Sequence, residues 1–154
     1  MVHNIDEIKK MIKKITLAII LLFTSISNVN AEKVNFFNEA KNLYENEKYE
    51  DSKFLFQRNI VYNPKDSKSY LYLAKIFKNE ENKTELEKNI NTVLLLEPNN
   101  EEAMYLLIDI ELERSNFSKA EELREDFKKI CSNLCDKIAY INKRLKEFEK
   151  KDAS

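Results

Sequence analysis

The chain has 154 residues, no glycine, two prolines and two cysteines, with 26 basic against 27 acidic side chains and a formal net charge of −1. That length suits one domain large enough for a real core. A chain without glycine cannot build GxGxxG or Walker-type loops, which need backbone pressed against phosphate, and it gives no support to Asn-Gly or Asp-Gly hairpin turns, so the composition points to an all-α protein.

At the front, Lys9, Lys10, Lys13 and Lys14 form a basic flank before an apolar run from Ile15 to Phe23, and Val29-Asn30-Ala31 has the small residues of a secretory cleavage site. Residues 1–31 therefore read as a signal peptide cut after Ala31, and 32–150 as the folded domain of a periplasmic or secreted protein. Met11 makes as good a start as Met1. The apolar run is shorter than the roughly 20 residues a spanning helix needs, so no stable membrane span is expected after cleavage. No cysteine stands at the cleavage region to take a lipid anchor. Cleavage removes four of the 26 basic and two of the 27 acidic residues, leaving 22 against 25 and a net charge near −3. Nucleic acid would call for a clustered basic surface, so it is not expected as a partner. His3, the one histidine, leaves with the leader, and with it go the Ser–His–Asp and Cys–His arrangements and the commonest metal ligand.

In chain order, Val34 to Glu45 reads as a helix with Phe36, Ala40 and Leu43 on one face. After a polar break at Asn46-Glu47-Lys48, Tyr49 to Tyr62 turns Ser52, Phe56 and Ile60 inward. Asp66 is the expected N-cap of the next helix, its carboxylate accepting from an orphan backbone N–H. In that helix Tyr70, Leu73, Ala74 and Phe77 recur at three- and four-residue steps. Asn82 followed by Glu85 suggests a capping box for a partner helix carrying Leu86, Ile90 and Val93, which closes at Glu97-Pro98-Asn99-Asn100. Pro64 and Pro98 stand 34 residues apart, each after an amphipathic helical pair, and such a period marks a solenoid.

Asn99 or Asn100 opens a third unit, with Glu101 and Glu102 near the positive end of the helix dipole. Its faces are Ala103, Met104, Leu107, Ile108 and Leu112, then Phe117, Ala120, Leu123, Phe127 and Ile130. Cys135 to Lys151 forms a seventh helix with Ile138, Ile141, Leu145 and Phe148 on one side. A coiled coil is disfavoured, because the breaks at Asn63-Pro64 and Pro98-Asn99-Asn100 interrupt any heptad.

Tyr70, Leu73, Ala74, Phe77, Leu86, Ile90, Val93 and Pro98 resemble the tetratricopeptide repeat, whose pattern runs W-x2-L-G-x2-Y, then A-x3-F, an alanine and a proline. The first copy supplies Phe36, Ala40, Leu43, Ser52, Phe56 and Pro64, with Glu39 and Asn59 departing from the pattern. The third supplies Met104, Leu107, Ile108, Ala120 and Phe127, with Glu111 and Arg124 departing and no closing proline. The resemblance implies an all-α, right-handed α-solenoid of three hairpins, about 33–66, 67–100 and 101–134, and a cap helix at 135–150. Each hairpin is too small to bury its own apolar face, so neighbours must stack and an end helix must cover the last face.

For chemistry, Cys131 and Cys135 flank Ser132-Asn133-Leu134 where the third copy lacks its proline. Export to an oxidising compartment favours a disulfide that fixes the cap helix. Thiol exchange or Cu(I) capture through the same pair is the alternative, from a different functional class. Carboxylate pairs such as Glu80-Glu81, Glu101-Glu102 and Glu121-Glu122 read as solvated faces and helix starts. No catalytic residue, cofactor or metal is expected. What remains is a surface. The resemblance implies that the first helices of successive hairpins line a concave groove for a peptide or partner helix. By helical phase the residues off the buried stripe are Phe37, Lys41, Tyr44, Lys68, Leu71, Tyr72, Lys75, Tyr105, Leu106 and Asp109. Aromatic rings would supply apolar area there, and lysines would meet acidic groups. Lys41 and Lys75 fall where carboxylate-clamping relatives prefer asparagine, so that ligand is not implied. The groove or the edge of the cap can instead receive a second copy of the chain.

Overall fold

The computed structural model describes residues 7–16 and 36–152, with side-chain surroundings in the last helix as far as Glu147. The chain divides into two units, 1–33 and 34–154, each taken by itself. In the first, helix α1 covers residues 7–16 and exposes Ile8, Met11, Ile12 and Ile15, one apolar stripe at helical spacing beside its lysines. The expected cleavage junction at Ala31 lies outside the described residues. No described helix is long and apolar enough to cross a membrane.

The second unit is all helix among its described residues. Three hairpins follow one another: α2 (Phe37–Glu45) with α3 (Tyr49–Tyr62), α4 (Ser67–Asn79) with α5 (Lys83–Leu96), and α6 (Glu101–Glu113) with α7 (Phe117–Ile130). Helix α8 (Lys137–Asp152) packs on α6 and α7 as the terminal cap. This is a solenoid of tetratricopeptide-like hairpins with a capping helix. Each foreseen stripe has buried members, while others such as Leu43, Ile60, Met104 and Leu107 are half-buried, and Ile76 and Ile110 are buried outside those stripes. Ala40, Phe56, Leu73, Ala74, Ile90, Val93, Ala120, Phe127 and Ile141 are all closed to solvent or nearly so.

Each hairpin turns the same way. Glu47, Glu81 and Ser115 hold φ of 60°, 57° and 59°, the left-handed region, and they stand 34 residues apart. The N–H after each reaches back to close the preceding helix: Lys48 donates to Leu43 O, Asn82 to Phe77 O and Asn116 to Glu111 O, each at 2.9 Å. This is the Schellman ending, in which orphan carbonyls of the last turn find donors beyond the helix. At the opposite ends, Asn82 and Asn100 cap α5 and α6 by accepting from the N–H of Glu85 and Ala103.

Four expectations need correction. Helix α2 starts at Phe37, not Val34, and Val34 and Asn35 lie outside the described residues. Asp66 does occupy the N-cap of α4, but its side chain bonds no backbone N–H. Its Oδ2 is taken instead by the Asn59 amide at 2.7 Å and the Ser69 hydroxyl at 2.6 Å. Helix α8 starts at Lys137 because residues 131–135 are held in a disulfide loop. Leu106, placed on the groove by phase, is buried together with Ile110, because α6 is covered from both sides along the stack.

Three of the four departures from the repeat pattern are polar groups with partners, and the fourth, Glu39, is exposed. Asn59 is 1% exposed where alanine is usual. It accepts from Phe36 N and Asn63 Nδ2 and donates to Asp66 and Ser69, tying the starts of α2 and α4 to α3. Buried Glu111 accepts from Asn116 Nδ2 at 2.7 Å. Arg124 donates to Asn142 Oδ1 at 3.0 Å, joining α7 to the cap.

Candidate functional site

Helices α2, α4 and α6 are the first helices of their hairpins, so residues one repeat apart occupy equivalent places: Phe37, Leu71 and Tyr105 in one row, and Lys41, Lys75 and Asp109 in another. Between the first two hairpins the aromatic members come together. Tyr72 stacks on Phe56 with centroids 5.0 Å apart and planes at 15°. Phe37 meets Tyr72 edge-on at 5.8 Å, and Tyr44 meets it at 5.0 Å. Phe37, Tyr44 and Tyr72 are half-buried and Phe56 is fully buried, in offset and edge-to-face geometries that favour the ring quadrupoles. Burial pushes the Tyr44 hydroxyl up, helped by the neighbouring Tyr49, Tyr72 and Glu102. Tyr105 stands apart, 6.5 Å from Phe127 of its own hairpin, and burial followed by the Asp109 charge raises it too.

The lysines have partners within the chain. Lys75 lies 4.9 Å above the Tyr72 ring and 2.7 Å from Glu102 Oε1. Lys41 pairs with Glu45 on its own helix at 3.4 Å, and Asp109 takes Lys78 at 2.6 Å. Lys68 is exposed, and its charge helps to depress Glu97. Lys78 and Glu102 are not among the groove residues read off the sequence. Lys78 lies one turn beyond Lys75 on the same stripe, a spacing that signals it. Glu102 was assigned to the helix dipole, and its cross-hairpin partner carries no local signal.

Leu71 reaches a cleft of about 730 Å³ at the edge of this face, between the junction that follows the second hairpin and the one that follows the third. Pro98, Asn99, Glu101, Asn133 and Leu134 are among its walls. Its carboxylates are tied down. Glu97 accepts from Ser67 Oγ and Asn100 Nδ2, which hold it below the usual carboxylate range. Glu101 accepts from Ser132 Oγ at 2.6 Å and from the N–H groups of Asn133 and Leu134 at 2.9 Å each. The Ser132 hydroxyl and then the Leu134 N–H pull its pKa down to about 2. Cys131 and Cys135 close that loop as a disulfide, Cα to Cα 5.3 Å. The pairs at 80–81 and 101–102 are thus more than solvated faces, since Glu80, Glu101 and Glu102 each tie separate elements together. Among the described residues no group of three or more His, Cys, Asp or Glu side chains gathers as a metal site.

No protein-family model matches the sequence, and no curated protein does. Solved structures do match the fold. The type III secretion chaperone SycD of Yersinia enterocolitica in complex with a peptide of the translocator YopD has a TM-score of 0.64 at 17% identity, covering 76% of this chain and 92% of that one. The type III secretion translocator chaperone SycD of the same organism has a TM-score of 0.65 at 17% identity, covering 88% and 94%. Its alternative dimer gives 0.63 at 16%, covering 77% and 92%. At such identities the likeness is one of fold.

Proposed function

We propose that the chain is a non-catalytic protein-interaction scaffold whose groove along α2, α4 and α6 takes an extended peptide or a partner helix. The observation that carries this reading is the half-buried row Phe37, Leu71 and Tyr105 beside the paired charges Lys41, Lys75 and Asp109 at one-hairpin spacing, with the Leu71 cleft at its edge. Rings on rigid helices offer apolar area at little conformational cost. Ion pairs such as Lys75–Glu102 bridge neighbouring hairpins, and a partner's polar groups can compete for them. The peptide-bound state of SycD, a protein of the same fold, supports this use of the scaffold. The basic and apolar front of the chain supports export, with 1–31 as signal peptide and work in the cell envelope, and the disulfide suits an oxidising compartment.

Site-specific photocrosslinking tests the groove. A crosslinker at Leu71 or Tyr105 should capture a partner in envelope extract, while one at Leu95, 81% exposed on α5, should not. Equal capture from all three positions overturns the assignment. Adducts of doubled chain mass would identify the occupant as a second copy.

A further inference from the structure

The junctions after successive hairpins can be compared position by position, because equivalents lie 34 residues apart. After the second hairpin the chain reads Glu97-Pro98-Asn99-Asn100, and after the third Cys131-Ser132-Asn133-Leu134. Proline fixes its own φ and stiffens the earlier junction permanently. Ser132 stands in that place after the third hairpin, and two other devices hold the segment. One is the Cys131–Cys135 bond. The other is the Glu101 carboxylate, which accepts from the Ser132 hydroxyl and the Asn133 and Leu134 N–H groups. The held segment supplies Asn133 and Leu134 to the cleft that Leu71 and Pro98 also line. It also launches α8, since the carbonyls of Leu134 and Cys135 accept from Lys137 and Ile138. Cys135 is exposed and Cys131 half-buried, so a dithiol can reach the bond.

We propose that Cys131–Cys135 is a redox latch. Closed, it keeps residues 132–134 seated on Glu101, and with them the cleft wall and the first turn of α8. Opened by a dithiol reductant, it releases all three. In the opening reaction a reductant thiolate attacks Sγ of exposed Cys135, giving a mixed disulfide and a Cys131 thiolate that takes up a proton. The reductant's second thiol then displaces Cys135 as a thiol and leaves as the oxidised disulfide, so two electrons enter the protein. Release follows because the open segment regains backbone freedom, which hydrogen bonds at a water-exposed carboxylate offset only in part. The consequence for a partner rests on reading the groove as the binding surface. The latch itself is a property of this chain alone.

Amide hydrogen exchange on the full chain, oxidised and then held in excess dithiothreitol, tests it without any partner. The amides of Asn133, Leu134 and Lys137 should exchange at least about tenfold faster on reduction, while those of α4 keep their protection. The Cys131→Ser, Cys135→Ser double variant should behave as the reduced protein in either condition. Glu101→Gln in the oxidised protein should give a smaller rise at the same amides. Unchanged rates at 133–137 overturn the latch. Loss of protection throughout α4 also overturns it, because the bond would then be a brace for the whole domain. Neither result bears on crosslinking from Leu71, so the two readings fail separately.

Discussion

Glu47, Glu81 and Ser115 are the residues least expected where they sit. Each adopts left-handed backbone geometry that crowds a Cβ against the carbonyl, and glycine relieves that clash. The positions were invisible in the sequence because the usual signal, a glycine every 34 residues, is missing from this chain. Replacing each by glycine should raise urea-unfolding stability by about 0.5–1 kcal/mol, since relief of the clash exceeds glycine's added chain entropy. Asn59 was legible as a departure from the repeat, yet its four partners were not, for they come from three different helix ends. Asn59→Ala strands the Phe36 N–H and leaves the Asp66–Ser69 pair without its third member, so it should cost about 1–3 kcal/mol in the same measurement. Glu101 carries a pH dependence. Its folded pKa of about 2 lies below the ordinary 4.5, so its stabilisation is complete above about pH 4.5 and is lost as pH falls towards 2. The stability gap between wild type and Glu101→Gln should accordingly shrink on acidification across that window.

At the scale of helices, two ion pairs join neighbouring hairpins at equivalent places with their charges exchanged. Lys53 of α3 meets Glu80 at the end of α4, 2.6 Å apart, and one period later Glu87 of α5 meets Arg114 at the end of α6. The pairing raises Lys53 and lowers Glu87 from their ordinary values, each through a hydrogen bond to its partner. Exchange of signs makes stacking order-specific. The first hairpin set directly on the third would place Lys53 against Arg114, and the second set on a copy of itself would place Glu87 against Glu80. Lys53→Glu should therefore destabilise by about 0.5–1 kcal/mol, and adding Glu80→Lys should recover most of it, as a double-mutant cycle in urea would show. In the second unit helix number, pairing and most inward positions were legible beforehand because they depend on local periodicity and two prolines, while the buried Leu106 and Ile110 depend on the stack. The cross-hairpin pairs were not, since partners some 30 residues apart leave no pattern in a single sequence. The groove row could be phased from the helices, but the pairing of Lys75 and of Asp109 follows from the stack and appears only there.

Across the whole domain the described core falls into two clusters that meet at α6. Ala103, Leu106 and Ile110 join the larger cluster of the first two hairpins, while Ile108 and Leu112 join the smaller one with Leu123, Phe127, Ile141 and Leu145. A solenoid is stabilised by contacts between neighbours, so the smaller terminal cluster, held by one cap helix and the Glu101 loop, should open at lower free energy than the rest. Ile141 is fully buried on α8, and Ile141→Ala leaves a cavity against α6 and α7 that should cost about 2–4 kcal/mol. If hairpins open in sequence from the cap, native-state amide exchange will speed up in α7 and α8 and leave α3 and α4 nearly unchanged. Equal acceleration in every helix would mean that the two clusters unfold as one unit, and that α6 transmits the loss of the cap through the whole stack.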